Sequence, residues 1–203
     1  METVEIIGKL LPLLFNMMGP IGLMPVFAAL TAKMDQPARR RTARRAVIFA
    51  AAGVLLGVLI GDAILRGWGI SNASLVIAAG VILTLSALRG ILLPAAGASP
   101  PDSADPGTLA IRPLAFPTIV SPHGVGVIIV FIAFLPSGLA KLTVLSVAGF
   151  ILLLDYGAMR IAHWFMAKVG MTPLLVLGAV FGILQVALGI EMVLSGFSLA
   201  GRP

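Results

Sequence analysis

The chain contains no cysteine, and only 11% of its 203 residues are charged. The lack of cysteine excludes disulfide bonds, thiolate metal sites and thiol-relay chemistry. Soluble domains carry about 25% charged residues, so the low charge content excludes an ordinary soluble protein. Hydrophobic residues make up 59% of the sequence, and the mean hydropathy is +1.10. The composition therefore predicts an integral all-α membrane protein that lies within the lipid bilayer.

Signatures of enzymes and nucleotide sites are missing as well. The sequence has no His-Glu-x-x-His metal motif, no nucleophile elbow and no phosphate-cradling glycine loop. The net charge of +6 could suggest nucleic acid, but the basic residues lie beside hydrophobic segments, as topology signals do. We therefore expect no enzyme, no cofactor, no metal and no nucleic-acid partner.

Six hydrophobic segments are long enough to cross a bilayer as helices, which takes about 20 residues each. They cover residues 4–34, 46–65, 71–93, 113–135, 142–167 and 173–197. Segment 33–45 is rich in lysine and arginine, and short loops of this kind stay in the cytoplasm. The sequence thus predicts a multi-pass protein of the inner cell membrane, with loop 33–45 cytoplasmic and both termini periplasmic.

The two halves of the chain resemble each other. A displacement of 102 residues brings Pro20-Ile21-Gly22 onto Pro122-His123-Gly124, and one of 101 brings Gly69 onto Gly170. Because each half has three crossings, an odd number, the second half must be inverted relative to the first. The predicted units are a three-helix repeat at 1–94, a flexible cytoplasmic linker at 95–110 and an inverted three-helix repeat at 111–203.

Proline and glycine interrupt the first and fourth segments at matching places. Gly19-Pro20 and Ser121-Pro122 each set a proline, which lacks a backbone N–H, at membrane depth. Freed backbone groups survive there only where they face protein or a wet cavity. Paired interrupted helices of this kind are typical of transporter substrate sites. The alternative is a pair of proline kinks that only bend the helices.

These breaks predict a binding site for a small zwitterion. The N-terminus of each second half-helix favours an anion such as a carboxylate, while unwound carbonyl groups favour an ammonium. The expected site residues are Asn16, Gly19, Pro20, Gly22, Thr118, Ser121, Pro122, Gly124 and Asp155.

Asp155 and His123 are the candidates for proton coupling. The repeat aligns Asp155 with Val54 in the middle of a span, where an unpaired carboxylate is costly. Asp155 could bind a substrate amine or take up a proton, or it could cap an early helix end beside Arg160. His123 could carry a proton or bond a freed carbonyl. Coupling to H⁺ or Na⁺ and homo-oligomerisation both stay open.

Two further features concern packing. Gly53, Gly57 and Gly61 repeat at four-residue spacing, which predicts a face for close helix packing. Gln185 lies within the last hydrophobic segment and predicts a hydrogen bond between helices.

Three segments resemble signatures of the MarC family, also called the small neutral amino acid transporter (NAAT) family. They are Pro20-Ile-Gly-Leu-Met-Pro-Val-Phe27, Ile64-Leu-Arg-Gly-Trp-Gly-Ile-Ser71, and Pro113-Leu-Ala-Phe-Pro117 with Ser121-Pro-His-Gly124. The resemblance implies six helices akin to LysE-type transporters, and transport of glycine, alanine and related solutes. Gly19 stands where the family usually has Asn or Asp, and Ser121-Pro122-His123 where it usually has Gly-Pro-Gly.

We therefore expect a secondary transporter that moves a small neutral amino acid by alternating access around two broken helices. One alternative is an exporter of another small solute or of a cation. The other is a non-transporting membrane scaffold or regulator.

Overall fold

A computed structural model of the chain describes residues 3–92, 106–134 and 138–201, and every regular element in these ranges is helical. The prediction of an all-helical protein is confirmed. The helices are α1 (Thr3–Met18), α2 (Pro20–Leu30), α3 (Gln36–Trp68), α4 (Asn72–Leu92), α5 (Pro106–Leu109), a π segment (Ala110–Ile119), α6 (Pro122–Phe134), α7 (Gly138–Val169) and α8 (Thr172–Ala200).

Five stretches are long and apolar enough to cross a membrane, so the predicted six crossings are not confirmed as six long helices. Within the described residues, the five are Leu10–Leu30, Gln36–Gly61, Asn72–Leu92, Lys141–Val169 and Thr172–Ala200. The predicted fourth crossing, 113–135, is divided between the π segment and α6. With 13 residues, α6 is about 20 Å long, which is shorter than the hydrocarbon layer of about 30 Å.

Proline explains this division. In the π segment the backbone is extended at Arg112 (φ −132°, ψ 124°) and Phe116 (φ −131°, ψ 127°). Each of these residues precedes a proline, whose ring disfavours the α conformation in the residue before it. The segment therefore cannot form one straight α-helix with α6.

One boundary predicted from the sequence, the end of loop 33–45, is wrong. Residues 36–45 of the predicted loop 33–45 form the beginning of α3. Asp35 caps this helix, since its Oδ1 accepts the N–H of Ala38 at 3.0 Å, and arginine is a good helix former. In the predicted linker 95–110, residues 106–110 are helical, while 95–105 lie outside the described residues.

The turns between the long helices repeat along the chain. Gly69 joins α3 to α4 with φ 63°, and Gly170 joins α7 to α8 with φ 77°. A left-handed residue directly after a helix is the usual site for glycine, which has no Cβ. The helices that lead into these turns, α3 and α7, have 33 and 32 residues.

The helices pack in pairs that correspond between the two halves. Both α1 and α2 pack against α7, while the π segment and α6 pack against α3. Helices α3 and α7 contact each other, as do α4 and α8. The main core lies among α1, α2, α3, α4, α6, the π segment and α7, and its largest fully buried side chains include Phe27, Leu83, Leu114 and Ile151. Most of the surface of α8 is exposed, as expected of a helix beside lipid.

Glycines allow α3 to approach its neighbours closely. A Cβ on Gly57 would lie 2.9 Å from Val125 Cγ1, and one on Gly61 would lie 2.6 Å from Ile129 Cδ1. At Gly53 a Cβ would collide with the ring of Phe116. The packing face predicted from this four-residue spacing is confirmed. These contacts also show that α3 runs alongside the π segment and α6.

Candidate functional site

The first break separates α1 from α2. Gly19 is extended (φ −82°, ψ 168°) and provides no side-chain cap for α2, whose first residue is Pro20. A Cβ on Gly19 would collide with the carbonyl oxygen of Phe15, so only glycine fits this position without a backbone shift. At Gly22, one turn further on, a Cβ would meet no described atom within 4 Å. Gly22 is exposed, and no described side chain covers its backbone.

The second break separates the π segment from α6 at Val120 and Ser121. Ser121 is buried, and its Oγ accepts the N–H of Gly124 at 3.2 Å. This is the bond of an N-cap residue, so Ser121 holds the start of α6 in place. The backbones of Pro122 and His123 form the first turn of α6. Their side chains are not among those described, and the proton-carrying role predicted for His123 stays a prediction.

The two breaks lie side by side. Met18 ends α1 and Gly124 lies in the first turn of α6. A Cβ on Gly124 would lie 2.7 Å from Met18 Cγ and 2.9 Å from its Sδ. Both residues are buried, so the breaks meet inside the protein.

Asp155 lies in the middle of α7 and is completely buried. The hypothesis that it caps an early helix end is wrong, because α7 continues to Val169. The guanidinium of Arg160 donates instead to the hydroxyl of Tyr156 at 3.3 Å. Within the described part of the chain, neither carboxyl oxygen of Asp155 has a hydrogen-bond partner.

The position of Asp155 along the helix axis can be compared with that of the first break, because α7 packs alongside α1 and α2. Leu11 and Val147 line one cleft near the start of α7, and Thr31 contacts His163 near its end, so the helices are parallel. Asp155 precedes His163 by two turns, about 12 Å at 1.5 Å per residue. On the neighbouring helix, the residue eight positions before Thr31 is Leu23, which lies in the first turns of α2. The buried carboxyl group is thus level with the first break.

Asn16 contributes another unpartnered oxygen. Its side-chain Oδ1 is buried and, among the described residues, has no hydrogen-bond partner. Its backbone oxygen accepts a bond of 2.7 Å from Nε2 of Gln185. In an unbroken helix that oxygen would accept the N–H of residue 20, which is a proline. The hydrogen bond predicted for Gln185 is confirmed, and it stabilises the open end of α1.

The remaining candidate, Thr118, lies half-buried in the π segment, one turn before Ser121. The region therefore combines two kinds of group. Asp155 and Asn16 provide acceptor oxygens that a cation or a proton donor would complete. The first turn of α2 provides N–H groups that no side chain caps, which favour an anion.

A polar cluster away from the breaks was not predicted from the sequence. Thr31 is buried, and its Oγ1 lies 2.7 Å from the oxygen of Phe27 and 2.8 Å from Nε2 of His163. Arg39 donates to the backbone oxygen of Thr31 at 3.2 Å. These bonds fasten the end of α2 to α7 and α3. A threonine at the end of an apolar helix was the signal that could have pointed to them.

Comparisons with known proteins identify relatives that are membrane proteins. Residues 4–200 match the description "MarC family integral membrane protein". The chain is 28% identical over 198 residues to the UPF0056 membrane protein YhcE of Escherichia coli, covering 90% of this chain and 87% of that protein. It is also 28% identical over 193 residues to a UPF0056 membrane protein of Archaeoglobus fulgidus, covering 91% and 89%. No solved structure matches it significantly.

Proposed function

Because this chain belongs to the MarC family of integral membrane proteins, we propose that it is a secondary transporter of a small neutral amino acid such as glycine or alanine. The proposal is supported by two adjacent helix breaks, a buried carboxyl group at the height of the first, and open backbone at Gly22. Interrupted helices that meet at membrane depth are typical of substrate sites in such carriers.

The proposed transport cycle depends on an inverted repeat of residues 1–94 and 111–203. In this proposal the π segment and α6 together make the fourth of six crossings, as α1 and α2 together make the first. The starts of α2 and α6 are 102 residues apart, and the turns at Gly69 and Gly170 are 101 apart, which supports a repeat. The corresponding helix pairs support it too. Alternating access then consists of one half rocking against the other around the shared breaks.

Each end of a zwitterion has a matching set of groups. The carboxylate of the solute accepts hydrogen bonds from the N–H groups at the start of α2, near Gly22. Its ammonium group donates to Asp155 and to Asn16 Oδ1. The side chain of the solute faces a site that is already crowded by Met18 against Gly124, which favours the smallest amino acids. A proton or Na⁺ on Asp155 would couple transport to an ion gradient.

Asp155 is the observation on which the proposal depends most, and its substitution gives the test. The experiment measures uptake of labelled alanine and glycine into proteoliposomes, with and without a proton or sodium gradient. A charge-assisted contact contributes about 1.5–3 kcal/mol, so Asp155→Asn is expected to lower uptake about 10- to 100-fold. Asp35→Asn, the same chemical change at an exposed helix cap, should retain uptake.

Two results would contradict the proposal. If the wild-type protein neither accumulates nor exchanges alanine or glycine, the solute class is wrong. If Asp155→Asn transports as well as Asp35→Asn, the buried carboxyl group has no part in transport.

A second candidate function is the export of a monovalent cation. It is favoured by the three unpartnered acceptor oxygens of Asp155 and Asn16. We propose a monovalent cation and not a multivalent metal, because the described residues contain no group of three or more His, Cys, Asp or Glu side chains that could hold a metal ion. A flux of Na⁺ or K⁺ through proteoliposomes in the absence of any amino acid would support this function over the first.

For orientation, we propose that the arginine-rich start of α3 faces the cytoplasm and that both termini face the periplasm of the inner membrane. The excess of positive charge at that end supports this assignment. A C-terminal reporter that is active only in the periplasm tests it, and activity of a cytoplasmic reporter at the same position would refute it.

A further inference from the structure

Four arginines on α3 have no role in the proposed transport cycle. Because α3 begins at Gln36, they lie on a helical extension of the membrane span and not in a loop. All four are exposed. We call them the arginine stripe: Arg40, Arg41, Arg44 and Arg45.

Their neighbour Arg39 differs from them. Its guanidinium donates to the backbone oxygens of Thr31 and Ala32, each at 3.2 Å. Arg39 therefore closes the end of α2, as a basic side chain commonly does at a helix C-terminus. The arginine stripe faces outward on the same helix.

The arginine stripe works against the stability of its own helix. Arg40 and Arg44 form a like-charged pair four residues apart, as do Arg41 and Arg45, and such pairs destabilise a helix. At this end of α3, the carboxylate of Asp35 caps the N–H of Ala38, and the first turn itself contains no acidic residue beside the arginines. An anion from outside the chain would relieve all of these repulsions at once.

The stripe continues directly into the lipid-facing side of α3. From Arg41 and Arg45, steps of three and four residues lead to Ile48, Leu55 and Leu59, which are 58%, 49% and 60% exposed. A helix of 33 residues is about 50 Å long, while the hydrocarbon layer measures about 30 Å. The arginines therefore lie at headgroup height, above the acyl chains that cover the apolar side.

We propose that the arginine stripe binds the phosphate of an anionic phospholipid whose acyl chains lie along the apolar side of α3. Arginine suits this ligand, because its planar guanidinium binds phosphate through two parallel hydrogen bonds. The site is independent of the transport proposal. It would bind lipid whether or not the protein carries an amino acid.

The test titrates the detergent-solubilised full chain with phosphatidylglycerol or with phosphatidylcholine and counts bound lipids by native mass spectrometry. The wild-type protein is expected to bind phosphatidylglycerol more tightly. Each basic residue near an anionic lipid contributes about a fivefold factor in affinity. Arg41→Gln with Arg45→Gln should therefore lower the affinity about 25-fold, and about 0.5 M salt should weaken wild-type binding.

The matched control removes the same charge at the same end of the bundle. Arg89→Gln with Lys168→Gln neutralises two exposed side chains in the last turns of α4 and α7. These helices end at the side where α3 begins, since α4 returns from the turn at Gly69 and α7 ends beside Thr31. The control should keep its affinity within about twofold of wild type.

A third variant, Arg41→Lys with Arg45→Lys, keeps the charge but cannot form two parallel hydrogen bonds to one phosphate. Its affinity for phosphatidylglycerol should lie between those of the glutamine variant of the stripe and the control variant. Circular dichroism and gel filtration establish that each variant is folded. Equal binding of the two lipids, or equal loss in the stripe and control variants, would overturn the proposal. Displacement of the lipid by millimolar inorganic phosphate would overturn it too, because the ligand would then be a free anion.

Discussion

Substitutions at the two glycines near the first break, Gly19 and Gly22, are expected to differ in their effects on stability and transport. Gly19→Ala places a Cβ against the carbonyl oxygen of Phe15, and also 2.8 Å from the carbonyl carbon of that residue. Both are backbone atoms of α1, so no side-chain rotation can relieve the collision. At Gly22 the same Cβ meets no described atom within 4 Å.

The magnitude follows from these contacts. Overpacking typically costs about 1–3 kcal/mol, and a backbone angle bent by about 15° costs about 4 kcal/mol. For Gly19→Ala we expect about 3 kcal/mol, which lowers Tm by about 6–12 °C in a chain of this length. Gly22→Ala should leave Tm unchanged or raise it slightly, because alanine is the better helix former by up to about 1 kcal/mol.

Transport separates the two positions further. Gly22→Leu should keep the Tm of the wild-type protein, yet it should abolish uptake of alanine and glycine, because the larger side chain fills the space open to the solute. Thermal unfolding in detergent, followed by circular dichroism, gives Tm, and proteoliposomes give uptake. If Gly22→Leu transports normally, Gly22 does not face the solute. If Gly19→Ala is as stable as the wild type, the geometry of the first break is wrong.

Three further substitutions test the packing around the breaks, each by its effect on Tm. Gln185→Leu leaves the backbone oxygen of Asn16 without its donor and should cost about 1 kcal/mol, whereas an unchanged Tm would mean that the bond does not stabilise the protein. Thr31→Val keeps the shape of the side chain but removes the bond to His163, and it should cost a similar free energy of unfolding. In a protein that already carries His163→Phe, adding Thr31→Val should cause no further loss of stability. Gly189→Ala brings a Cβ within 2.8 Å of a backbone oxygen of α4 and should cost about 1–3 kcal/mol; stability equal to wild type would show that α4 and α8 are further apart.

Local chemistry made the breaks and the turns predictable from the sequence. Pro20 and Pro122 lack an N–H whatever the surrounding fold, which favours their positions as the first residues of α2 and α6. Gly69 and Gly170 end helices because glycine adopts positive φ at no steric cost. Asp155 was identified because a buried carboxylate is rare in an apolar span.

Features that depend on tertiary packing could not be predicted in the same way. Sequence periodicity does not reveal that Gln185 reaches the open end of α1, or that Thr31 contacts His163, since more than a hundred residues separate the partners in each pair. The start of α3 was misplaced for a different reason. Arginine marks the edge of the hydrocarbon layer, but it does not end a helix, so α3 continues through the headgroup region.

The central claim, that the first break lines a solute cavity, is tested most directly by measuring whether water and solute reach it. Because the chain has no cysteine, Gly22→Cys can be labelled with a water-soluble maleimide without any background. Gly178→Cys, which lies on the exposed side of α8 with no described atom near its Cβ position, is the control facing lipid. Labelling at position 22 that alanine or glycine slows, with none at position 178, is the predicted result. Equal failure to label at both positions would contradict a solute cavity at the break.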